Sequence, residues 1–263
     1  MSALPHAVRD STTMLRRNLR RNLRYPVGPA STIGVPIVLL LLFVSVFGDT
    51  MGAGLVGVSG GRDDYLAYIT PGILLISVAG AAQGAAISVA MDMTEGIMNR
   101  FRTMAIARAS VLTGHVLGNL IQTVIALAFV IGVALLLGFD PTADWVEWLA
   151  AAVLLVGISL AVIWLAVALG LVSRTVEAAS NLPLPLMLLP FLGSGFVPTD
   201  SMPAAMRWFA EHQPFTPIIN TVRGLLLGTA IGSDGVLAVL WSVAIGLGGY
   251  AWSRHLFNRD PTA

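Results

Sequence analysis

The chain has no cysteine and no lysine among its 263 residues, and only 11% of them are charged. Without cysteine there are no disulfides, thiol nucleophiles or cysteine-ligated metals. Without lysine the phosphate-binding loop G-x-x-x-x-G-K-[ST] is excluded, so this chain brings no such ATP site. Ordinary soluble domains carry about 25% charged residues. Here the deficit accompanies 56% hydrophobic residues and a mean hydropathy of +0.81. Several uncharged runs approach the ~20 residues that cross a bilayer, which points to an all-α integral membrane protein. No polar stretch is long enough to hold a core of its own, so residues 1–263 read as one transmembrane domain. The basic N-terminal stretch is too long for a signal peptide, and no small-residue cleavage site follows it promptly.

What is present is a set of apolar runs. They lie at residues 24–49, 65–91, 109–139, 148–173, 177–199 and 235–253, with Pro183, Pro185 and Pro190 interrupting the fifth. Six spans is the natural count, with a core over 27–254 and a tail over 255–263. Arginine fixes the orientation. With both termini in the cytoplasm, Arg9, Arg16, Arg17, Arg20, Arg21, Arg24, Arg100, Arg102, Arg108, Arg174, Arg254 and Arg259 fall inside. Only Arg62, Arg207 and Arg223 fall outside, where Asp49, Asp63, Asp64, Asp140, Asp144 and Glu147 gather. Twelve against three is a strong positive-inside bias.

Three segments are not simple spans. In residues 1–26, Val8, Leu15, Leu19 and Leu23 recur at helical spacing among arginines, as in an amphipathic helix lying in the headgroup layer. The same charges also serve topology alone. The connection "MDMTEGIMNRFRTMAIARAS" sets Ile97, Phe101 and Met104 on one stripe of a short helix that also carries Glu95, Asn99, Arg100 and Arg102. Such a stripe suits docking of another protein, or else lies back on the membrane. Finally, "FLGSGFVPTDSMPAAMRWFAEHQPFTPIINTVRGLLLG" contains apolar pieces too short to cross. Pro203 would begin one short helix, and Pro214 and Pro217 would separate it from the next. The expectation is a broken, re-entrant element before the sixth span, packed on the fifth and sixth spans. Glu211, His212 and Arg223 would stay hydrated at its outer boundary.

Chemistry is sparse elsewhere. His6, His115, His212 and His255 form no H-E-x-x-H pair, and Ser59 and Ser194 among glycines match no nucleophile elbow. His115, Asn119 and Gln122 share one face of the third span, a pattern better suited to interhelical hydrogen bonds than to substrate. No carboxylate is expected well inside a span, with Asp92 and Glu177 at cytoplasmic edges. That argues against a proton- or sodium-coupled carrier.

Taken together, these segments resemble type-2 ABC-transporter permeases, and most closely the daunorubicin/doxorubicin-resistance-like permeases of actinobacteria. The resemblance rests on "EGIMNRFRTMAIARAS" and, within the outer segment, on "FVP", "MP", "FAEHQPFTP" and "RGLL". It implies that Glu95, Gly96, Ile97, Asn99, Arg100, Phe101, Arg102 and Met104 would form a coupling helix seated in a separate ATP-binding subunit. Two permeases, identical or close paralogues, would pair through their first and fifth spans above two such ATPases. ATP and Mg would be bound there, with no cofactor, metal or nucleic acid on this chain. Pro198, Pro203, Glu211, His212, Pro214, Pro217 and Arg223 would belong to an outer gate. Phe43, Phe47, Met187 and Phe191 are candidates to line a pathway for hydrophobic cargo, although such positions also serve packing or lipid contact. The implied function is export of drug-, antibiotic- or lipid-like molecules across the plasma (inner) membrane, with polysaccharide as another cargo of such permeases. The alternative is a membrane scaffold that docks a partner without transport.

Overall fold

The computed structural model describes residues 27–54, 60–94 and 108–258, where all regular structure is helical. Helix α1 (Val27–Leu42) runs through a π-helical turn at Phe43–Phe47 into α2 (Gly48–Gly54). Then come α3 (Arg62–Thr94), α4 (Arg108–Leu136), α5 (Trp145–Val172), α6 (Val176–Asn181) and α7 (Leu184–Leu188). A 3-10 turn at Thr199–Ser201 leads to α8 (Ala204–His212), α9 (Phe215–Leu227) and α10 (Asp234–Asn258). Among the described residues, 5 helical lengths are long and apolar enough to cross a bilayer: Ala30–Gly54, Arg62–Thr94, Leu112–Leu136, Trp145–Val172 and Asp234–Asn258. The N-terminal surface helix expected over residues 1–26 and the coupling helix expected within 95–107 fall outside the described residues.

The run at 177–199 differs from the continuous span its hydropathy suggests, and proline is the reason. Pro183 caps α7 and Pro185 lies in its first turn, where a missing N–H costs nothing. Pro190 has no N–H to return to the carbonyl of Leu186, so α7 stops at Leu188. Beyond it the chain turns, with the amides of Phe191 and Leu192 both donating to Leu188 O at 3.0 Å.

Helix α3 is the centre of the bundle. Its most apolar stretch is 78% buried, against 17% for the α1–α2 length and 11% for α10. The latter two therefore present broad apolar faces outward, including Val38, Val46, Val236 and Leu247, suited to lipid or to another membrane-embedded subunit. Small residues draw the backbones together. A Cβ on Gly72 of α3 would meet Gly195 O at 2.5 Å, and one on Gly249 of α10 would meet Leu165 N at 2.6 Å.

The bundle has two chemically distinct ends. Asp63, Asp64, Asp144, Glu147 and Asp234 lie in or just before the first turns of α3, α5 and α10, where carboxylates complement the helix dipole. At α5 this becomes a capping box: Glu147 N–H donates to Asp144 Oδ1 at 2.8 Å, and Asp144 N–H to Glu147 Oε2 at 2.9 Å. We call this the acidic end. The opposite, basic end carries Thr94, Arg108, Arg174 and Asn258.

Candidate functional site

At the acidic end the chain folds back on itself through α8 and α9. Helix α9 has 13 residues, so it is about 20 Å long and too short for a ~30 Å hydrocarbon core. Nevertheless Phe215, Ile218, Ile219 and Val222 are fully buried, and the helix packs against α3, α5 and α10. Gly228 ends it at φ +65°, a conformation that favours glycine. Helix α8 is its opposite, with Met206, Trp208 and Phe209 exposed. The break between them is at Gln213, whose extended backbone (ψ 151°) suits the residue before Pro214. Pro217 does not separate the two helices as the sequence suggested. It lies in the first turn of α9, buried, and its carbonyl accepts from Thr221 Oγ1 at 2.6 Å.

Arg223 is the hub of this region. Its Nε and Nη2 donate to Tyr68 O of α3 at 3.3 and 3.1 Å, and Nη2 also donates to Ser194 O at 2.6 Å. Its Nη1 donates to Asn220 Oδ1 at 3.0 Å, and the guanidinium carbon sits 3.9 Å from the centroid of the Tyr68 ring. A planar fork of five donors is suited to such a junction, where a lysine would reach fewer acceptors. Asn220 extends the node: its Oδ1 also accepts from Ser194 Oγ at 2.6 Å, while its Nδ2 donates to Asp234 Oδ2 at 2.8 Å. Four parts of the chain (α3, the 190–196 turns, α9 and the start of α10) thus meet on two side chains. Arg223, expected at a hydrated outer boundary, is half-buried and bonded to carbonyls and an amide. Glu211 and His212 are exposed at the end of α8, with His212 stacked on Trp208 at 4.8 Å.

A second set of bonds pins the turns. Gln213 Nε2 donates to Leu189 O at 3.3 Å and to Thr216 Oγ1 at 2.8 Å, and Ser194 N–H donates to Thr216 Oγ1 at 3.4 Å. Arg207 folds over the 3-10 turn, donating to the carbonyls of Thr199, Asp200 and Met202. Pro198 caps that turn and Pro203 caps α8.

Beside the node lies a phenylalanine cluster. Phe191 and Phe196 stack at 4.5 Å with ring planes 6° apart; Phe43 lies 4.7 Å from Phe196 and 6.4 Å from Phe191, and Phe47 lies 5.6 Å from Phe43. Phe43, Phe47 and Phe191 are among the residues named from the sequence as candidate pathway lining; Phe196, 5% exposed, was not among them. Met187, like Phe43, is partly buried and packs against the core. A cavity of about 230 Å³ adjoins Phe196, lined also by Thr50, Met51, Tyr65, Pro198 and Asp200.

The sequence pattern of the ABC-2 type transporter family matches residues 10–227. The chain belongs to that family. It is 27% identical over 226 residues to a daunorubicin resistance ABC transporter permease protein of Streptomyces coeruleorubidus, covering 85% of this chain and 77% of the relative. It is 28% identical over 212 residues to a probable doxorubicin resistance ABC transporter permease protein of Mycobacterium tuberculosis, covering 80% and 75%. It also matches ABC transporter G family member 20 of Dictyostelium discoideum, 27% identical over 167 residues, which are 62% of this chain and 22% of that one. This is therefore a multi-pass permease subunit of an ABC transporter.

The permease holds its other polar cluster at the basic end. Asp92, two residues before α3 ends, is 1% exposed, and its Oδ2 lies 3.0 Å from His115 Nε2. Ser88 Oγ lies 3.4 Å from the ring's Nδ1. The pair joins α3 to α4 close to the ends of the connection that holds Glu95, Gly96, Ile97, Asn99, Arg100, Phe101, Arg102 and Met104, all outside the described residues. Gln122, on the same face as His115, donates to Thr32 Oγ1 of α1 at 3.3 Å, whereas Asn119 bonds within α4 to His115 O at 2.8 Å. Two of those three side chains thus bond between helices.

Proposed function

We propose that this permease is the membrane half of an ATP-driven exporter of hydrophobic or amphipathic small molecules, of the kind its relatives are named for. In this reading two permeases pair through α1–α2 and the 176–196 segment, above two ATP-binding subunits that hold ATP and Mg. The positive-inside bias supports a plasma-membrane orientation with both termini and residues 95–107 in the cytoplasm and the acidic end outside. The 176–196 segment is then the fifth of six crossings, α8 and α9 are an outer re-entrant pair, and the Glu95–Met104 residues dock the ATPase.

One observation carries the gate reading. Phe191 and Phe196 flank Ser194 on the same stretch of turns, so the ring stack and the Arg223 node share one piece of backbone. Cargo that parts the rings pulls Ser194 from Asn220 and Arg223 and frees α9 from the turns; resealing restores those bonds. The charge of Arg223 is held by carbonyls and a ring face, contacts that re-form without a long-range counter-ion.

The test is co-reconstitution with the ATP-binding subunit in vesicles, following doxorubicin by its fluorescence. ATP-dependent accumulation is expected, with Phe191→Ala reducing it. Pro214→Ala, at the break between α8 and α9, should lower transport per ATP hydrolysed more than Pro217→Ala, which lies inside α9. A complex that binds its ATPase and hydrolyses ATP, yet moves neither doxorubicin nor another amphipathic probe, would favour the scaffold reading.

A further inference from the structure

The basic end contains a cavity of about 350 Å³ between α4, α5 and α10, lined by Thr113, Trp164, Tyr250, Arg254, Phe257 and Asn258. Its shape follows from the helices. Gly249 brings α10 against α5, and Tyr250, Arg254, Phe257 and Asn258 recur at i, i+4, i+7 and i+8, so they share the adjoining face. Trp164 meets Tyr250 edge to face at 5.0 Å, giving the cavity an aromatic wall. Both rings lie eight residues before their helices end at Val172 and Asn258. They are therefore about 12 Å deeper than the final turn, where Asn258 lies. The cavity is cationic and polar at Arg254 and Asn258 near the helix ends, where Leu112 and Phe257 also line it, and purely aromatic at Trp164 and Tyr250 toward the membrane interior.

We infer that this cavity binds the headgroup of an anionic phospholipid, with its phosphate at Arg254 and its acyl chains running past Trp164 and Tyr250 into the bilayer. The gradation matches such a lipid, and basic pockets between spanning helices on the cytoplasmic side bind anionic headgroups. Its volume lies at the lower end of the range for small-ligand pockets, which suits a headgroup with the chains left outside. The cavity is separate from the Arg223 node and the phenylalanine cluster, and its assignment to the cytoplasmic leaflet rests on the orientation proposed above.

Purified full-length permease, stripped of lipid in detergent, can be titrated with phosphatidylglycerol or with phosphatidylcholine of the same chains, counting bound lipids by native mass spectrometry. Phosphatidylglycerol should bind about fivefold more tightly, as one arginine near an anionic headgroup provides. Arg254→Gln should abolish that preference and Arg254→Lys should keep it. Arg174→Gln, at the same end on an exposed site outside the cavity, should also keep it. An unchanged preference in Arg254→Gln would overturn the site. Displacement of the lipid by millimolar inorganic phosphate alone would overturn its lipid character and leave an anion site. The orientation is read separately: Asn258→Cys in this cysteine-free chain should resist an impermeant thiol reagent in intact cells. Labelling there would overturn the leaflet and the orientation, while the lipid measurement on purified protein tests the cavity independently.

Discussion

The two ends of the permease solve the problem of buried polarity differently. At the acidic end, Arg223 and Asn220 each bond to several segments far apart in sequence, mostly through backbone carbonyls and uncharged groups. At the basic end the described cluster centres on an acid–imidazole pair, His115 and Asp92, between consecutive helices. A node of many modest bonds over short helices and turns has several places to open. A compact pair between two long helices holds them as one unit. In the function proposed above, the first arrangement suits an exit that rearranges and the second a base that moves as a body.

Removing the hub tests the contrast most severely. Arg223→Ala would take the guanidinium donors from the carbonyls of Tyr68 and Ser194 and leave Asn220 Oδ1 with Ser194 Oγ alone, in a half-buried site. Bonds to a charged group are worth about 1.5–3 kcal/mol each, so a loss of about 3 kcal/mol or more is expected. In detergent it should appear as a clearly lowered melting temperature together with loss of export. Arg223→Lys should recover part of the stability and little of the export, because one ammonium cannot replace the fork.

The basic-end pair should show a smaller effect. A double-mutant cycle over Asp92→Ala and His115→Ala should give a coupling energy of about 1–3 kcal/mol, since the two side chains touch directly. A value near zero would mean that the pair does not hold α3 to α4 and would remove the contrast between the ends. The smallest effect belongs to Gln122→Ala. Interhelical hydrogen bonds in membranes average about 0.6 kcal/mol, so loss of the bond to Thr32 should lower thermal stability slightly and leave ATPase binding intact.

Much of this architecture is written in local sequence. Apolar runs mark the long helices because the bilayer demands both their length and their composition, and Pro183, Pro185 and Pro190 mark where a further run cannot stay helical. The extended residue before Pro214 is equally local. Arg223 is different: its partners at Tyr68 and Ser194 lie 155 and 29 residues away, and nothing near position 223 announces them. Likewise Asp92 reads as an edge residue, and nothing near it announces that α4 brings His115 against it. Pro217 misleads because a proline in the first turn of a helix resembles, in sequence, one between helices. Phe196 sits within the quoted "GSGFVP" stretch, yet only the turn after Pro190 folds it back onto Phe191.

The central claim is that the bond between Ser194 and Asn220 must part for cargo to leave. The chain has no cysteine, so Ser194→Cys and Asn220→Cys place two thiols where the native side chains already touch at 2.6 Å. Doxorubicin export by the complex reconstituted with its ATPase is measured before oxidation, after oxidation and after re-reduction, with each single variant as control. The account predicts that the oxidised double variant stops exporting, that reduction restores transport, and that neither single variant responds to oxidant. Undiminished export with the disulfide fully formed would contradict it.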